Sequence, residues 1–244
     1  MNKIKIATAI AFALVAMGAN AASSKVDLRN AAQSQVKGTN NDQRANIGNA
    51  NGAASSTDVR ANDVRQNQRA GRNNTQSLSI GNASGGGKSH VIANRVGQSQ
   101  VGGVRNDQKL SIGDAQSRGR SNVRATGIGQ SQRSGVNNDQ TMAIGNAKTS
   151  GKTNVTAIDL RQTQVNGNSN DQKMEIGNAA RGGSAKVHAH HVRQTQGGGR
   201  GNDQTLQAGN AIGGRSNVTM HSVTQSETGG TRNDQSMKVG NATR

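Results

Sequence analysis

One motif recurs seven times along this 244-residue chain and occupies nearly all of it. Its consensus is Val-x-Ala-x-x-Val-x-Gln-x-Gln, then five residues with glycine third, then Asn-Asp-Gln-x-Leu-x-Ile-Gly-Asn-Ala. A fixed period of this length is typical of a solenoid, in which each repeat packs only against its neighbours. The opening valines define repeats 26–58, 59–90, 91–122, 123–154, 155–186, 187–217 and 218–244, and they are Val26, Val59, Val91, Val123, Val155, Val187 and Val218.

Residues 1–21 have the pattern of a secretory signal peptide. Lys3 and Lys5 precede an apolar run at 6–17, and Ala19-Asn20-Ala21 is a small-residue cleavage signature. The run is too short to cross a bilayer comfortably, so we expect no membrane span. We expect export, cleavage after Ala21, a short leader at 22–25 and an extracellular location. The exported chain would keep 28 of the 30 basic and all 13 acidic residues, a net charge of +15.

Apolar and polar residues alternate with period two in two stretches of each repeat, which predicts two strands of about ten residues. In the fifth repeat the alternation breaks between Ala157 and Leu160, where we expect a kink or bulge. The inward residues are then Val155, Ala157, Leu160, Gln162 and Gln164, followed by Asn170, Gln172, Met174, Ile176 and Asn178. The sequence thus predicts an all-β fold, a flattened two-sheet β-solenoid of seven strand-turn-strand-turn repeats with cross-β stacking.

The two turns of each repeat differ in how strictly they are kept. The first always has five residues with glycine third, which indicates a backbone position that needs positive φ. The second absorbs every change in repeat length, as expected of a surface loop. The seven turn glycines are Gly38, Gly71, Gly103, Gly135, Gly167, Gly199 and Gly230.

Stacked repeats place identical amide side chains above one another. A primary amide is both donor and acceptor, so a column at the strand spacing can hydrogen-bond along its own length. We expect three such ladders. The first is Gln33, Gln66, Gln98, Gln130, Gln162, Gln194 and Gln225; the second is Gln43, Gln76, Gln108, Gln140, Gln172, Gln204 and Gln235; the third is Asn41, Asn74, Asn106, Asn138, Asn170, Asn202 and Asn233.

The sequence shows no capping segment for this solenoid. Only 22–25 precede the first motif, and Thr243 and Arg244 follow the last. Stable monomeric solenoids generally cover their terminal coils, because an open strand edge pairs with other chains. We therefore expect head-to-tail stacking of subunits into a fibre.

The rhythm of Val223-x-Gln225 with Gly230, Asn233 and Gln235 resembles curlin repeats, which belong to the secreted subunits of bacterial curli. The resemblance extends over 26–244 as a style of repeat. It departs from curlin in its longer period and its lack of aromatic residues, since Phe12 is the only one in the chain. It implies a functional amyloid of the biofilm matrix with roles in adhesion, a related nucleator or co-subunit, and dedicated secretion factors.

The sequence predicts neither catalysis nor a bound cofactor. There is no cysteine and no glycine-rich loop opening a helix. Acidic residues form an outward column, for which we favour Asp capping its own turn over a bound cation such as calcium. That column is Asp42, Asp107, Asp139, Asp171, Asp203 and Asp234, with Thr75 as the exception. His188, His190 and His221 are the one candidate metal cluster, and solvent-facing histidines of this kind usually bind nothing.

Arg65, Arg161 and Arg193 share an outward register and are candidate contacts for polyanions such as extracellular DNA, lipopolysaccharide or acidic polysaccharide. The alternative is that the charge only keeps the secreted chain soluble.

Two other interpretations of the whole chain stay open. One is a monomeric solenoid that binds ice, a glycan or a polyanion through a repetitive face. The other is a disordered basic chain, which the strict alternation and the absence of proline disfavour.

Overall fold

The computed structural model describes residues 23–40, 42–52, 55–232, 234–240 and 242–243, so the predicted signal peptide and Ala22 lie outside the described residues. The described residues form strands and turns, with no helix among them and hence no helix that could cross a membrane. Strands from successive repeats stack in parallel, one coil above the next, and six turns of the chain lead from the first coil to the seventh. The predicted all-β solenoid is confirmed.

Three parallel sheets run along the solenoid. The first contains β1 (Ser23–Arg29), β2 (Ala32–Val36), β5 (Ser56–Asn62), β6 (Arg65–Arg69), β9 (Lys88–Asn94), β10 (Gly97–Val101), β13 (Arg120–Arg133), β16 (Lys152–Val165), β19 (Ser184–Gly197) and β22 (Arg215–Thr228). The second contains β3 (Asp42–Ile47), β7 (Thr75–Ile80), β11 (Asp107–Ile112), β14 (Asp139–Ile144), β17 (Asp171–Ile176), β20 (Asp203–Ala208) and β23 (Asp234–Val239). The third contains β4 (Ala50–Asn51), β8 (Ala83–Ser84), β12 (Ala115–Gln116), β15 (Ala147–Lys148), β18 (Ala179–Ala180), β21 (Ala211–Ile212) and β24 (Ala242–Thr243).

The predicted break in alternation is a left-handed residue in the middle of the first sheet. Asp159 has φ of 56°, and Arg95 and Gly127 occupy the same position two and one coils earlier with φ of 52° and 65°. Ile158 and Asp159 are both half-buried, after which Leu160 is fully buried. One residue of positive φ therefore resets which side chains face the core.

The second strand is shorter than predicted, because the glycine of Ile-Gly-Asn-Ala turns a corner. Gly177 has φ of 60°, and a Cβ there would come within 3.2 Å of the Val187 Cβ. The strand ends at Ile176, and the chain resumes pairing at Ala179 in the narrow third sheet, which alternation alone did not predict. Asn178, expected to face inward, lies half-buried at this corner.

The core lies between the two wide sheets and runs without interruption along the solenoid. In the fifth coil Val155, Ala157, Leu160, Met174 and Ile176 are all fully buried. Their equivalents in the last coil are not covered to the same extent. Met237 and Val239 remain 44% and 41% exposed, although Met174 and Ile176 in the same columns are 0% exposed.

Candidate functional site

The first glutamine ladder runs through all seven coils of the solenoid. Each side-chain amide donates to the Oε1 atom of the glutamine one coil before it, as Gln98 Nε2 does to Gln66 Oε1 at 2.7 Å and Gln130 Nε2 does to Gln98 Oε1 at 2.8 Å. The same nitrogen also donates across the core, for example from Gln130 to the Thr141 carbonyl at 2.9 Å. The six links join Gln33, Gln66, Gln98, Gln130, Gln162, Gln194 and Gln225.

The second ladder has the same direction and lies at the start of the second sheet. Its six links have lengths between 2.8 and 3.1 Å. Gln76, Gln108, Gln140, Gln172 and Gln204 are each at most 1% exposed, so these hydrogen bonds satisfy amides that would otherwise be costly to bury. Gln43 and Gln235 complete the column at its two ends.

The asparagine column stacks as predicted but bonds differently. Asn106 Oδ1 accepts from the backbone N–H of Asn74, and its Nδ2 atom donates to the Gly71 carbonyl at 3.3 Å. The same two contacts recur at Asn138 and Asn170. These amides therefore brace the first turn instead of forming an amide–amide ladder. Asn41 and Asn233 lie outside the described residues.

The turn glycines are needed for space as well as for backbone conformation. A Cβ on Gly71 or Gly103 would lie 2.8 Å from the carbonyl oxygen of the glycine one coil earlier. Gly38, Gly71, Gly103, Gly135, Gly199 and Gly230 have φ between 97° and 146°. Gly167 is the exception, because its φ lies outside the left-handed region, although a Cβ there would still approach the Gly135 carbonyl at 3.1 Å.

A fourth polar column, not predicted, follows the corner glycine and lines a groove of about 490 Å³ beside the second sheet. Each side-chain oxygen accepts from the backbone N–H one coil later, at 2.7 to 3.0 Å. The fixed asparagine of Ile-Gly-Asn-Ala was the available sequence signal. Its hydrogen-bonded members are Asn49, Asn82, Asp114, Asn146, Asn178 and Asn210.

Asp114 is the one carboxylate in this asparagine column. Its pKa is raised to about 6, mainly by burial and less by Glu175, although hydrogen bonds from Ser111 and the Asn146 backbone and the charge of Lys148 lower it. The Ser111 hydroxyl donates to its Oδ2 atom at 2.7 Å. Asn82, one coil before, instead donates its Nδ2 atom to Ser79 Oγ at 2.7 Å, so an asparagine fits the same surroundings.

We expect Asp114→Asn to stabilise the protein at pH 7 by up to about 3 kcal/mol, from a pKa shift of about two units. Since the folded-state pKa is raised, ionisation of Asp114 opposes folding, and the wild type loses stability as pH rises from about 4 to about 6. Chemical denaturation at pH 4, 5, 6 and 7 measures the difference between the two proteins. It should vanish below pH 4, and a constant difference at all four values would contradict the assignment.

The second glutamine of each Gln-x-Gln pair forms a further buried column, which differs from the first glutamine ladder in its hydrogen bonding. Gln68, Gln100, Gln132, Gln164 and Gln196 are at most 2% exposed and pair in register from coil to coil. Neither amide atom of any of these five has a hydrogen-bond partner in the described structure. The hydrogen-bonded glutamine column and the one without partners therefore lie only two residues apart along the same strand.

The aspartate column does not cap its own turn as favoured from the sequence. The backbone N–H of Asp139, one coil later, lowers the pKa of the Asp107 carboxyl, and the N–H groups of Asp171 and Asp203 act in the same way on Asp139 and Asp171. Burial is the main cause that raises the pKa of Asp107, Asp139 and Asp171, and neighbouring carboxylates add to it for Asp139 and Asp171. The column therefore consists of acids that repel one another along the axis.

The described residues contain no group of three or more His, Asp or Glu side chains arranged to hold a metal ion. His190 and His221 occupy the same register and stack, with ring centroids 4.8 Å apart. His188 pairs in register with Thr156 and Thr219, so its own column contributes no second imidazole in the adjoining coils. This arrangement provides ring stacking and no third ligand.

The predicted arginine column is discontinuous. Arg161 and Arg193 are direct neighbours, but Gly97 and Gly129 stand between Arg65 and Arg161. The gap forms a shallow basin of about 430 Å³, which Arg95 also lines. Arg95 is paired with Asp63 at 2.6 Å, so part of the charge around the basin is neutralised.

No family model, curated protein or solved structure matches this chain. The functional argument therefore rests on the ladders, the coil ends and the distribution of charge.

Proposed function

We propose that this protein is an exported structural subunit that stacks head to tail into extracellular cross-β fibres of the curli type, for biofilm matrix and adhesion. One observation carries the proposal, the exposure of core-facing side chains at the last coil. Met237 and Val239 are 44% and 41% exposed, in columns whose members in coils two to six are fully buried. A further coil on this surface would cover them at about 25 cal/mol for each Å² of apolar surface removed from water.

The first coil of a second copy has the side chains that this surface needs. Continuing each column past the last coil would place Val26 on Val218, Leu28 on Met220 and Ile47 on Val239. Both glutamine ladders would continue, because every described link donates toward the preceding coil. The Gln225 and Gln235 oxygens would then accept from Gln33 and Gln43 of the next copy.

The proposed location rests on the secretory pattern of residues 1–21, and the proposed nucleator and secretion factors rest on the resemblance to curlin repeats. The fibre itself does not depend on either. Its subunit would extend about 34 Å along the axis, from seven coils at the usual strand spacing of about 4.8 Å.

Freshly denatured chain 22–244, diluted into buffer, should polymerise after a lag, and preformed fibres should remove that lag. Nucleation requires a coil to fold without a neighbour, whereas growth adds coils to an existing edge. Turbidity and electron microscopy follow the reaction. A chain that remains a folded monomer at high concentration, with or without seeds, would exclude the fibre and favour the monomeric ligand-binding alternative.

A further inference from the structure

The two wide sheets differ strongly in charge. The strands of the first sheet, together with the two-residue kinks at 30–31, 63–64 and 95–96, carry fifteen Lys and Arg residues and five Asp and Glu residues, a net charge of +10. The strands of the second sheet carry four basic and seven acidic residues, a net charge of −3. The basic excess of the protein is therefore concentrated on one face, where it attracts anions over distances of about a Debye length, roughly 8 Å at physiological salt.

Part of this charge forms a continuous row at the beginning of the first sheet. Lys88, Arg120, Lys152, Ser184 and Arg215 pair directly with one another in five successive coils. We call this row the basic trough. Its four cations take part in no ion pair within the described part of the chain. Each of the five lies three residues before the opening valine of its motif, so the row follows from the repeat itself.

Two shallow depressions run along the trough. One of about 420 Å³ is lined by Lys88, Arg120 and Lys152, and the next, of about 390 Å³, shares Lys152 and Ser184 and extends to Arg215. The four cations are exposed side chains at the start of their strands, so they face an anion that lies along the axis.

We propose that the basic trough binds a linear acidic polysaccharide that lies along the solenoid axis. Its carboxylates meet Lys88, Arg120 and Lys152, and its hydroxyls meet the exposed amides of Asn122 and Asn154, which line the same depression. The site exists within each chain and does not depend on fibre formation. Stacking would only lengthen it and add multivalency.

Nucleic acid fits the trough less well. Single strands are usually held by base stacking on aromatic side chains, and the described residues include no Phe, Tyr or Trp. A single polysaccharide chain with regularly spaced carboxylates can follow the row of cations along the axis, one coil after another.

The test compares two variants that each remove three positive charges. In K88S/R120S/K152S, serine is the residue that coils one, two and six already carry in that column. In R133V/R161T/R193T, the new residues also occur in the same columns, at Val101, Val165 and Thr224. Binding of labelled alginate is measured by fluorescence anisotropy over a range of salt concentrations, with neutral dextran as the uncharged control.

We expect the trough variant to bind alginate at least tenfold more weakly, with the slope of log K against log salt reduced by about two. The control variant should lose less than threefold. Equal loss in both variants would overturn the site, since the charge would then act diffusely. Tighter binding of duplex DNA than of alginate would identify nucleic acid as the partner and overturn the proposal.

Alginate binding can be measured with chains that fail to form fibres, so the polysaccharide proposal and the fibre proposal fail independently.

Discussion

A variant carrying Met237→Lys and Val239→Lys should fold and yet not form fibres. Both positions face the core column of the last coil, where a second copy would cover them. Burying an unpaired ammonium costs several kcal/mol, and each 1.4 kcal/mol changes an association constant tenfold. The critical concentration should therefore rise by more than 100-fold, as measured by sedimentation after long incubation with seeds.

The complementary variant places lysine at Leu28 and Ala45, on the opposite end of the solenoid. Each variant alone should stay monomeric, because every contact in a head-to-tail fibre needs one end of each kind. An equimolar mixture should give dimers and stop there, since one intact last coil meets one intact first coil. Thr219→Lys with Thr224→Lys adds the same charge to the exposed face of the last coil and should polymerise normally. A mixture that remains monomeric would show that growth does not join first and last coils.

Much of the fold could be predicted because the same alternation of apolar and polar residues recurs in all seven repeats. Any one copy of the alternation would be ambiguous, but a register kept in every coil left little freedom for another arrangement. The kink before Leu160 was also predictable, since inward residues must change parity there. What the pattern could not give was the corner at Gly177, because a glycine within an alternating run can be a strand residue, a bulge or a turn.

The candidate sites divide in the same way. The first glutamine ladder follows from in-register stacking, but stacking alone does not decide which amides find partners. Gln162 and Gln164 lie on one strand, face the same core and recur equally, yet the amide of Gln162 is bonded and that of Gln164 is not. The basic trough, by contrast, could have been predicted, because Lys88, Arg120 and Lys152 each lie three residues before the opening valine of a repeat and therefore stack in register.

Replacing Gln98, Gln130 and Gln162 by leucine should destabilise the protein by about 5 kcal/mol. Each glutamine loses links to its neighbours in the ladder and one to a carbonyl across the core, such as Gln98 to Lys109 at 3.0 Å. Each such bond contributes about 1 kcal/mol, and the Gln66 Oε1 atom is left buried without its donor. Leucine burial offsets part of the loss. Denaturant unfolding of the monomeric M237K/V239K protein, with and without the substitutions, measures the difference.

The matched set is Gln100, Gln132 and Gln164, replaced by leucine in the same three coils. Residue type, burial and volume change are the same, but these amides have no partners to lose. Removing a buried unsatisfied amide should be neutral or stabilising, by about 1 kcal/mol at each position. Exposed Lys109→Ser with Lys173→Ser should change stability by less than about 1 kcal/mol. If the second set destabilises the protein as much as the first, both columns are hydrogen-bonded ladders, and every coil is held to the next by three columns of glutamine amides instead of two.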